Sequence, residues 1–241
     1  METLYPVHEM FHSFQGEGAN MGISAFFVRM FGCPVQCPWC DSAGTWHRDY
    51  VPSAIARRTA VEILQAYEES GAPMMVVTGG EPLIHNLEPL LVKFSERFHG
   101  GGYLAIETSG AFPLQLSAPI KEFSTFAWFT VSPKRWKIPT RENLLLANEF
   151  KFIIERPDDI RYYTELVSEI SGRLPSVPVW LHPEWSKRND PEVLAAIVLA
   201  VKANGDMFRA GYQLHKIYQA DSRDNRSVPP VPLGGNPALG L

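Results

Sequence analysis

Apolar runs that end in glycine or in a polar cluster alternate along this chain with amphipathic stretches of helical period, and this alternation limits the fold more than any other feature. SAFFVRMFG (24–32), PMMVVTGGEP (73–82), YLAIETSG (103–110), AWFTVSPK (127–134), NEFKFIIE (148–155) and VPVWLHPE (177–184) read as strands. RRTAVEILQAYEESG (57–71) sets Ala60, Ile63, Leu64 and Tyr67 at helical spacing and stops at Gly71. HNLEPLLVKFSERFHGG (85–101), PDDIRYYTELVSEISG (157–172) and DPEVLAAIVLAVKANG (190–205) supply the other helices, and GYQLHKIY (211–218) is expected to be a last strand. Strands and helices in this order imply right-handed βαβ units, so the expected class is α/β with a mainly parallel sheet and helices outside. Six or so strands are too few for a closed eightfold barrel. With 241 residues, 45% of them hydrophobic, the chain can bury one full core; residues 1–241 are read as a single domain, with 110–126 as its least regular connection.

In such sheets chemistry gathers at the carboxyl ends of the strands. CDS, TGGEP, ETSG, SPK and HPE all fall there. Formal charge is −4 and the basic residues are scattered, so no phosphate-tracking stripe appears and direct nucleic-acid binding is not expected. METLYPVHEMFHSFQGEG has no basic segment followed by an apolar one, and no apolar run is long enough to span a bilayer. A cytoplasmic protein without a membrane partner is expected.

All three cysteines lie in CPVQCPWC, residues 33–40. An odd number this tightly spaced argues against a disulfide framework and for thiolates on a metal. Two metals fit. A structural zinc site needs a fourth ligand, and His47 is the candidate. An iron–sulfur cluster held by three thiolates leaves one iron open, which suits catalysis. Spacing does not choose between them.

Cys33-x3-Cys37-Pro38-Trp39-Cys40 resembles the radical S-adenosylmethionine signature, and Gly79-Gly80-Glu81-Pro82 is similar to that superfamily's second hallmark. The resemblance implies a shortened, partial (β/α) barrel and a 4Fe-4S cluster on Cys33, Cys37 and Cys40. The open iron would chelate S-adenosylmethionine, whose one-electron cleavage gives a 5′-deoxyadenosyl radical. Glycines at a strand end also let backbone carbonyls approach an ammonium. Phe14-Gln15-Gly16-Glu17-Gly18, Phe27-Val28-Arg29, Cys40-Asp41-Ser42, Thr78 before the glycines, Glu107-Thr108-Ser109-Gly110, Ser132-Pro133-Lys134 and Gln213-Leu214-His215-Lys216 extend the likeness. Together they resemble the 7-carboxy-7-deazaguanine synthase family. That family contracts the ring of 6-carboxy-5,6,7,8-tetrahydropterin with loss of ammonia on the way to queuosine and other 7-deazapurines, works as a homodimer, uses magnesium, and takes electrons from a carrier such as a flavodoxin or ferredoxin.

By the same resemblance, Phe14, Gln15, Gly16, Glu17 and Thr78 line the substrate site and Arg29 holds a carboxylate by a bidentate fork. QGEG alone reads equally as a glycine turn, and Arg29 alone as a structural ion pair. Ser42 stands where the family supplies a hydroxyl, usually threonine, to magnesium; a helix cap is its other reading. Trp39, Gly80, Ser132, Pro133 and Lys134 are carried over to S-adenosylmethionine. His182, in HPE where the family often has a glutamine–proline pair, is carried there too, with an ordinary polar strand end as its alternative. Glu107 reads as a site residue or as the partner of a buried lysine. His215 and Lys216 are site candidates; His8, His12, His85 and His99 match no motif. The tail VPPVPLGGNPALGL, within residues 219–241, is expected to close over the substrate, with Leu241 at the site. Two rival functions remain: another radical S-adenosylmethionine enzyme such as a glycyl-radical activase, and a metal-binding protein without catalysis.

Overall fold

A computed structural model describes residues 2–98, 102–117 and 126–220. Its strands are β1 (Leu4–Phe14), β2 (Ser24–Met30), β3 (Ala56–Thr59), β4 (Met74–Gly79), β5 (Tyr103–Thr108), β6 (Ala127–Val131), β7 (Glu149–Ile154), β8 (Val179–Pro183) and β9 (Phe208–Ala210). Its helices are α1 (Ala60–Ser70), α2 (Glu88–Phe98), α3 (Arg141–Leu146), α4 (Asp159–Ser171), α5 (Pro191–Ala203) and α6 (Leu214–Tyr218). The strands form one sheet in the order β3-β1-β2-β4-β5-β6-β7-β8-β9. From β2 to β9 every neighbour in that order is parallel, while β1 and β3 add an antiparallel flap. The sheet stays open, with β3 and β9 as its edges, as the low strand count requires.

The parallel strands are apolar on both faces because both are covered. In β4, Met75 and Val77 pack outward against Ile63, Leu64, Leu90 and Phe94 of α1 and α2. Met74 and Val76 point the other way, into a small inner cluster with Phe11, Phe27 and Ala105. A second outer cluster joins Phe150 and Phe152 of β7 to Ile160, Tyr163 and Val167 of α4. Helix α1 starts in a capping box, Thr59 accepting from Glu62 N–H and Glu62 from Thr59 N–H, and stops at left-handed Gly71.

Four elements differ from the sequence expectation. The N-terminal segment, given no element, is the eleven-residue β1, whose alternation is broken by an irregularity between Val7 and Glu9. Residues 57–59, expected as helix, belong to β3, and α3 was not foreseen. The strand expected over 211–218 is instead a short connection and α6, the last strand, β9, ending before it at Ala210. The ladder ends where Gly211 N–H bonds Leu181 O; Leu214 N–H then bonds Gly16 O at 3.0 Å, drawing the segment across the strand ends. Among the described residues no helix is long and apolar enough to cross a membrane.

Candidate active site

One cavity, of about 1260 Å³ including its open mouth, lies at the carboxyl ends of β2, β4, β5 and β6. Cys33, Cys37 and Cys40 line it, all unpaired, on the loop after β2. Burial pushes all three thiols up, Cys40 to about 12 and Cys37 well above the ordinary thiol value. Left alone, then, they stay protonated; a multiply charged metal group is what makes such thiols into ligands. Among the described residues no three His, Cys, Asp or Glu side chains converge on a single ion. The zinc candidate His47 packs on Trp46 and Tyr50, accepts from Asp49 N–H, and lies outside the cavity lining. The donor set therefore fits a cluster of several irons with one iron open.

Strand β4 ends in Gly79 and Gly80 for a reason in the backbone. A Cβ on Gly79, at φ 121°, would lie 2.3 Å from Met30 N; one on Gly80 would lie 2.1 Å from Gly32 O. The glycines thus let the ends of β4 and β2 touch, which places Gly80 against Cys33. Glu81 is 1% exposed and accepts from Leu83 N–H, Ser109 N–H and the Thr108 and Ser109 hydroxyls. The GGEP and ETSG motifs are thereby one hydrogen-bonded unit.

On the cofactor side, Lys134 Nζ donates to Ser132 O at 2.6 Å and to Ser132 Oγ at 2.7 Å, and lies 5.4 Å over the Trp39 ring. Burial lowers its pKa. Trp136 Nε1 donates to Val35 O at 2.7 Å, tying this segment to the cysteine loop. Pro133 and His182 are not in the cavity lining. His182 is fully buried, and among the described residues neither ring nitrogen has a hydrogen-bond partner.

A polar wall occupies the rest of the cavity. Gln15 Nε2 donates to Glu107 Oε1 at 3.0 Å, Thr78 Oγ1 donates to Glu107 Oε2 at 3.0 Å, and Glu17 N–H donates to Gln15 Oε1 at 3.1 Å. Lys151 pairs with Glu17 and lies 3.9 Å from Glu107, so both readings of Glu107 hold together. Arg29 Nε donates to Glu9 Oε1 at 2.6 Å, and its Nη1 donates to Ser42 Oγ, so its guanidinium enters the cavity held on two sides. Ser42 Oγ lies 3.4 Å from Asp41 Oδ1. Burial alone would raise the Asp41 carboxyl, but Lys216, His215 and Arg29 outweigh it and hold it at about 2.

Segment 213–220 covers one side. Gln213 Nε2 donates to Glu17 Oε1 at 2.9 Å, Lys216 Nζ lies 3.4 Å from Asp41 Oδ2, and Ser13 Oγ donates to Ala220 O at 2.9 Å. A Cβ on Gly16 would lie 2.2 Å from His215 Nδ1, so this glycine makes room for the segment. Phe14, Gly16, Thr78, His215 and Lys216 all line the cavity. Of the remaining histidines, His12 bonds Ser24 and His85 bonds Phe31 O, both away from it. His99, Leu241 and the tail from 221 onward lie outside the described residues. Not singled out from the sequence were Lys151, Glu9, Glu184 and Trp185; Lys151 had a signal, a lone cation in the apolar strand NEFKFIIE.

An open parallel sheet, three unpaired cavity thiols on the loop after its first parallel strand, and a glycine pair touching that loop define a radical S-adenosylmethionine enzyme with a 4Fe-4S cluster. Residues 14–118 match the family model of a 4Fe-4S single cluster domain. The chain is 38% identical over 212 residues to the 7-carboxy-7-deazaguanine synthase of Synechocystis sp., covering 88% of this chain and 91% of that one. It is 32% identical over 233 residues to that of Escherichia coli strain K12, covering 88% and 97%. The crystal structure of QueE from Escherichia coli superposes with a TM-score of 0.72 at 29% identity, covering 88% of this chain and 95% of that one. The chain belongs to the 7-carboxy-7-deazaguanine synthase family, whose members are radical S-adenosylmethionine lyases.

Proposed function

We propose that this chain converts 6-carboxy-5,6,7,8-tetrahydropterin to 7-carboxy-7-deazaguanine with loss of ammonia, in 7-deazapurine biosynthesis of the queuosine type. The observation that carries the reading is a single cavity in which three unpaired thiols share the strand ends with a wall of Gln15, Glu17, Thr78 and Glu107. When bound, the 4Fe-4S cluster on Cys33, Cys37 and Cys40 and S-adenosylmethionine supply one-electron hydrogen abstraction. The protein's own residues place the reactants and keep water out. Phe14 and Gly16 shape the pterin site, and Glu17 accepts from donors on the pterin ring. Arg29, oriented by Glu9 and Ser42, presents its fork to the substrate carboxylate. Trp39, Gly80, Ser132 and Lys134, which line the cavity beside the cysteines, would hold S-adenosylmethionine, Lys134 supplying a cation for its carboxylate. Pro133 and His182 do not reach the cavity and are given no ligand contact.

The proposal extends to magnesium, for which Ser42 Oγ and Asp41 supply hard oxygen donors beside the substrate carboxylate. It also includes a homodimer, for which the exposed Leu194, Val198 and Leu199 of α5 offer an apolar surface. A flavodoxin or ferredoxin supplies the electron, and the protein works in the cytoplasm. The test is an anaerobic assay of reconstituted protein with dithionite, S-adenosylmethionine, magnesium and the pterin, read by mass spectrometry. 7-Carboxy-7-deazaguanine, absent with Cys37→Ala, is expected. Cleavage of S-adenosylmethionine without that product would discard the substrate.

A further inference from the structure

Strand β7 carries Glu149 and Lys151 two residues apart, so both side chains leave the same face. Both grip the loop that carries the substrate motif. Glu149 accepts from Ala19 N–H at 2.8 Å and from the Thr130 hydroxyl at 2.7 Å. Lys151 pairs with Glu17 and stands 3.9 Å from Glu107 on β5, with only 13% of its side chain exposed. Among the described residues, the amides of Gln15 and Gln213 and the hydroxyl of Thr78 also donate to these two carboxylates. An ionised carboxylate accepts only, so these donors are satisfied with both acids charged. Glu17 is buried, and Lys151 lies against both acids, so a cation stands where the buried anion needs one.

We infer that Lys151 is a positioning residue of the substrate site: its ammonium holds Glu17 and Glu107 side by side as carboxylates, and so makes them the acceptor pair that receives the ring N–H and amino group of a 2-amino-4-oxo pyrimidine ring. The inference rests on the proposed function for the identity of that ring and on nothing else in it. Burial opposes the charge on Lys151, yet Glu107 and Glu17 hold its pKa well above the ordinary lysine value. Burial likewise opposes the charge on Glu17, yet Lys151, with His182 and His215, holds it well below the ordinary carboxylate range. Asp41, Lys134 and His182 are further titratable groups coupled by charge to Lys151.

The test compares reconstituted holoenzyme carrying Lys151→Met, Lys151→Arg or Lys151→Met with Glu107→Gln against the unsubstituted enzyme. Without the ammonium, one of the two carboxyls takes up a proton near neutrality, which raises its pKa in the folded state alone. A raised folded pKa means stability that is lost as pH rises through it. The melting temperature of Lys151→Met is therefore expected to fall progressively further below that of the unsubstituted enzyme as the pH rises from about 4.3 to about 7, with a constant gap above that. Its KM for 6-carboxytetrahydropterin should rise about tenfold or more at pH 7, recover as the pH is raised, and change more than kcat. Arginine should restore both profiles. The double variant, which removes one anion with the cation, should show no widening gap in melting temperature.

A Lys151→Met enzyme whose melting and KM profiles run parallel to the unsubstituted ones would overturn the inference. So would a loss that arginine does not repair at any pH. Should Lys151→Met not fold, the double variant decides: if it also fails to fold, the lysine is needed for packing and the inference falls. An unsubstituted enzyme that does not turn over the pterin would sink the functional reading, while the melting profiles would still decide the role of Lys151.

Discussion

Replacing Gly80 with alanine adds one methyl group at the point where β4 meets the cysteine loop. Gly80 is outside the positive-φ region, so its backbone conformation suits alanine and the effect is one of space. The new Cβ would lie 2.1 Å from Gly32 O, 2.7 Å from Gly32 C and 3.1 Å from Cys33 Cβ. Ordinary contact begins near 3.4 Å, so the two backbones must separate by about 1.3 Å. Gly80 N–H to Met30 O and Glu81 N–H to Gly32 O, both 2.9 Å, run across that gap and do not survive such a shift. Two backbone bonds at about 1 kcal/mol each, more where the groups stay buried and unpaired, give about 2–4 kcal/mol. Urea unfolding of the cluster-free protein, followed by circular dichroism, reads this as a lower midpoint at constant slope. Cys33 follows Gly32, so iron bound per chain after reconstitution should drop as well. A Gly80→Ala protein with unchanged midpoint and iron content, but weakened S-adenosylmethionine binding, would refute the packing argument. The glycine would then serve the ligand's ammonium and not the approach of two strands.

Asp159→Ala should destabilise by about 1–3 kcal/mol in the same unfolding assay, because it removes the acceptor of the part-buried N–H groups of Glu155 and Arg156 and the carboxylate partner of the Arg135 guanidinium. His182 is held neutral: burial, with help from Lys151 and His215 and against Glu17, lowers its pKa from 6.5 to about 4. The unfolded chain therefore binds the extra proton in that window, so the contribution of His182 is complete above about pH 6.5 and shrinks as pH falls toward 4. That amounts to about 2 kcal/mol by pH 5, a loss that urea midpoints should show and His182→Gln should flatten. Ending the chain after Ala220 should raise KM for the pterin without changing iron content, if residues 221–241 close over the substrate; turnover and affinity equal to the full chain would remove that idea.

The parallel half of the fold was legible because its strands are buried on both faces and so read as unbroken apolar runs, with Met74 to Val77 as the clearest case. The flap was not. In β1, Tyr5, Val7 and Phe11 are buried, but the irregularity after Val7 breaks the two-residue period on which a half-buried strand is recognised. Residues 211–218 misled for a different reason. GYQLHKIY alternates like a strand, yet Gly211 packs where a Cβ would strike the His182 ring, and the chain leaves the sheet there for a tertiary destination, the 13–16 loop.

Motif spacing similarly picked out residues that line the cavity and concealed what holds them in place. The cysteines, Gln15, Glu17, Arg29 and Thr78 belong to short stretches whose chemistry is readable locally, and they share one cavity. Their supports are distant in sequence: Lys151 reaches Glu17 across 134 residues, Gln213 reaches Glu17 across 196, and Glu9 reaches Arg29 from a neighbouring strand. No local pattern encodes such a pair, because the energy of a buried ion pair depends on what the fold excludes around it. Glu81 shows the converse. Its motif reads as a ligand-binding signature, while in the folded chain its carboxylate accepts four bonds from Leu83, Thr108 and Ser109 and has none left for a ligand. Glu81 therefore serves the site by joining the ends of β4 and β5, and replacing it would move Gly80 and Thr78 together, not delete a ligand contact.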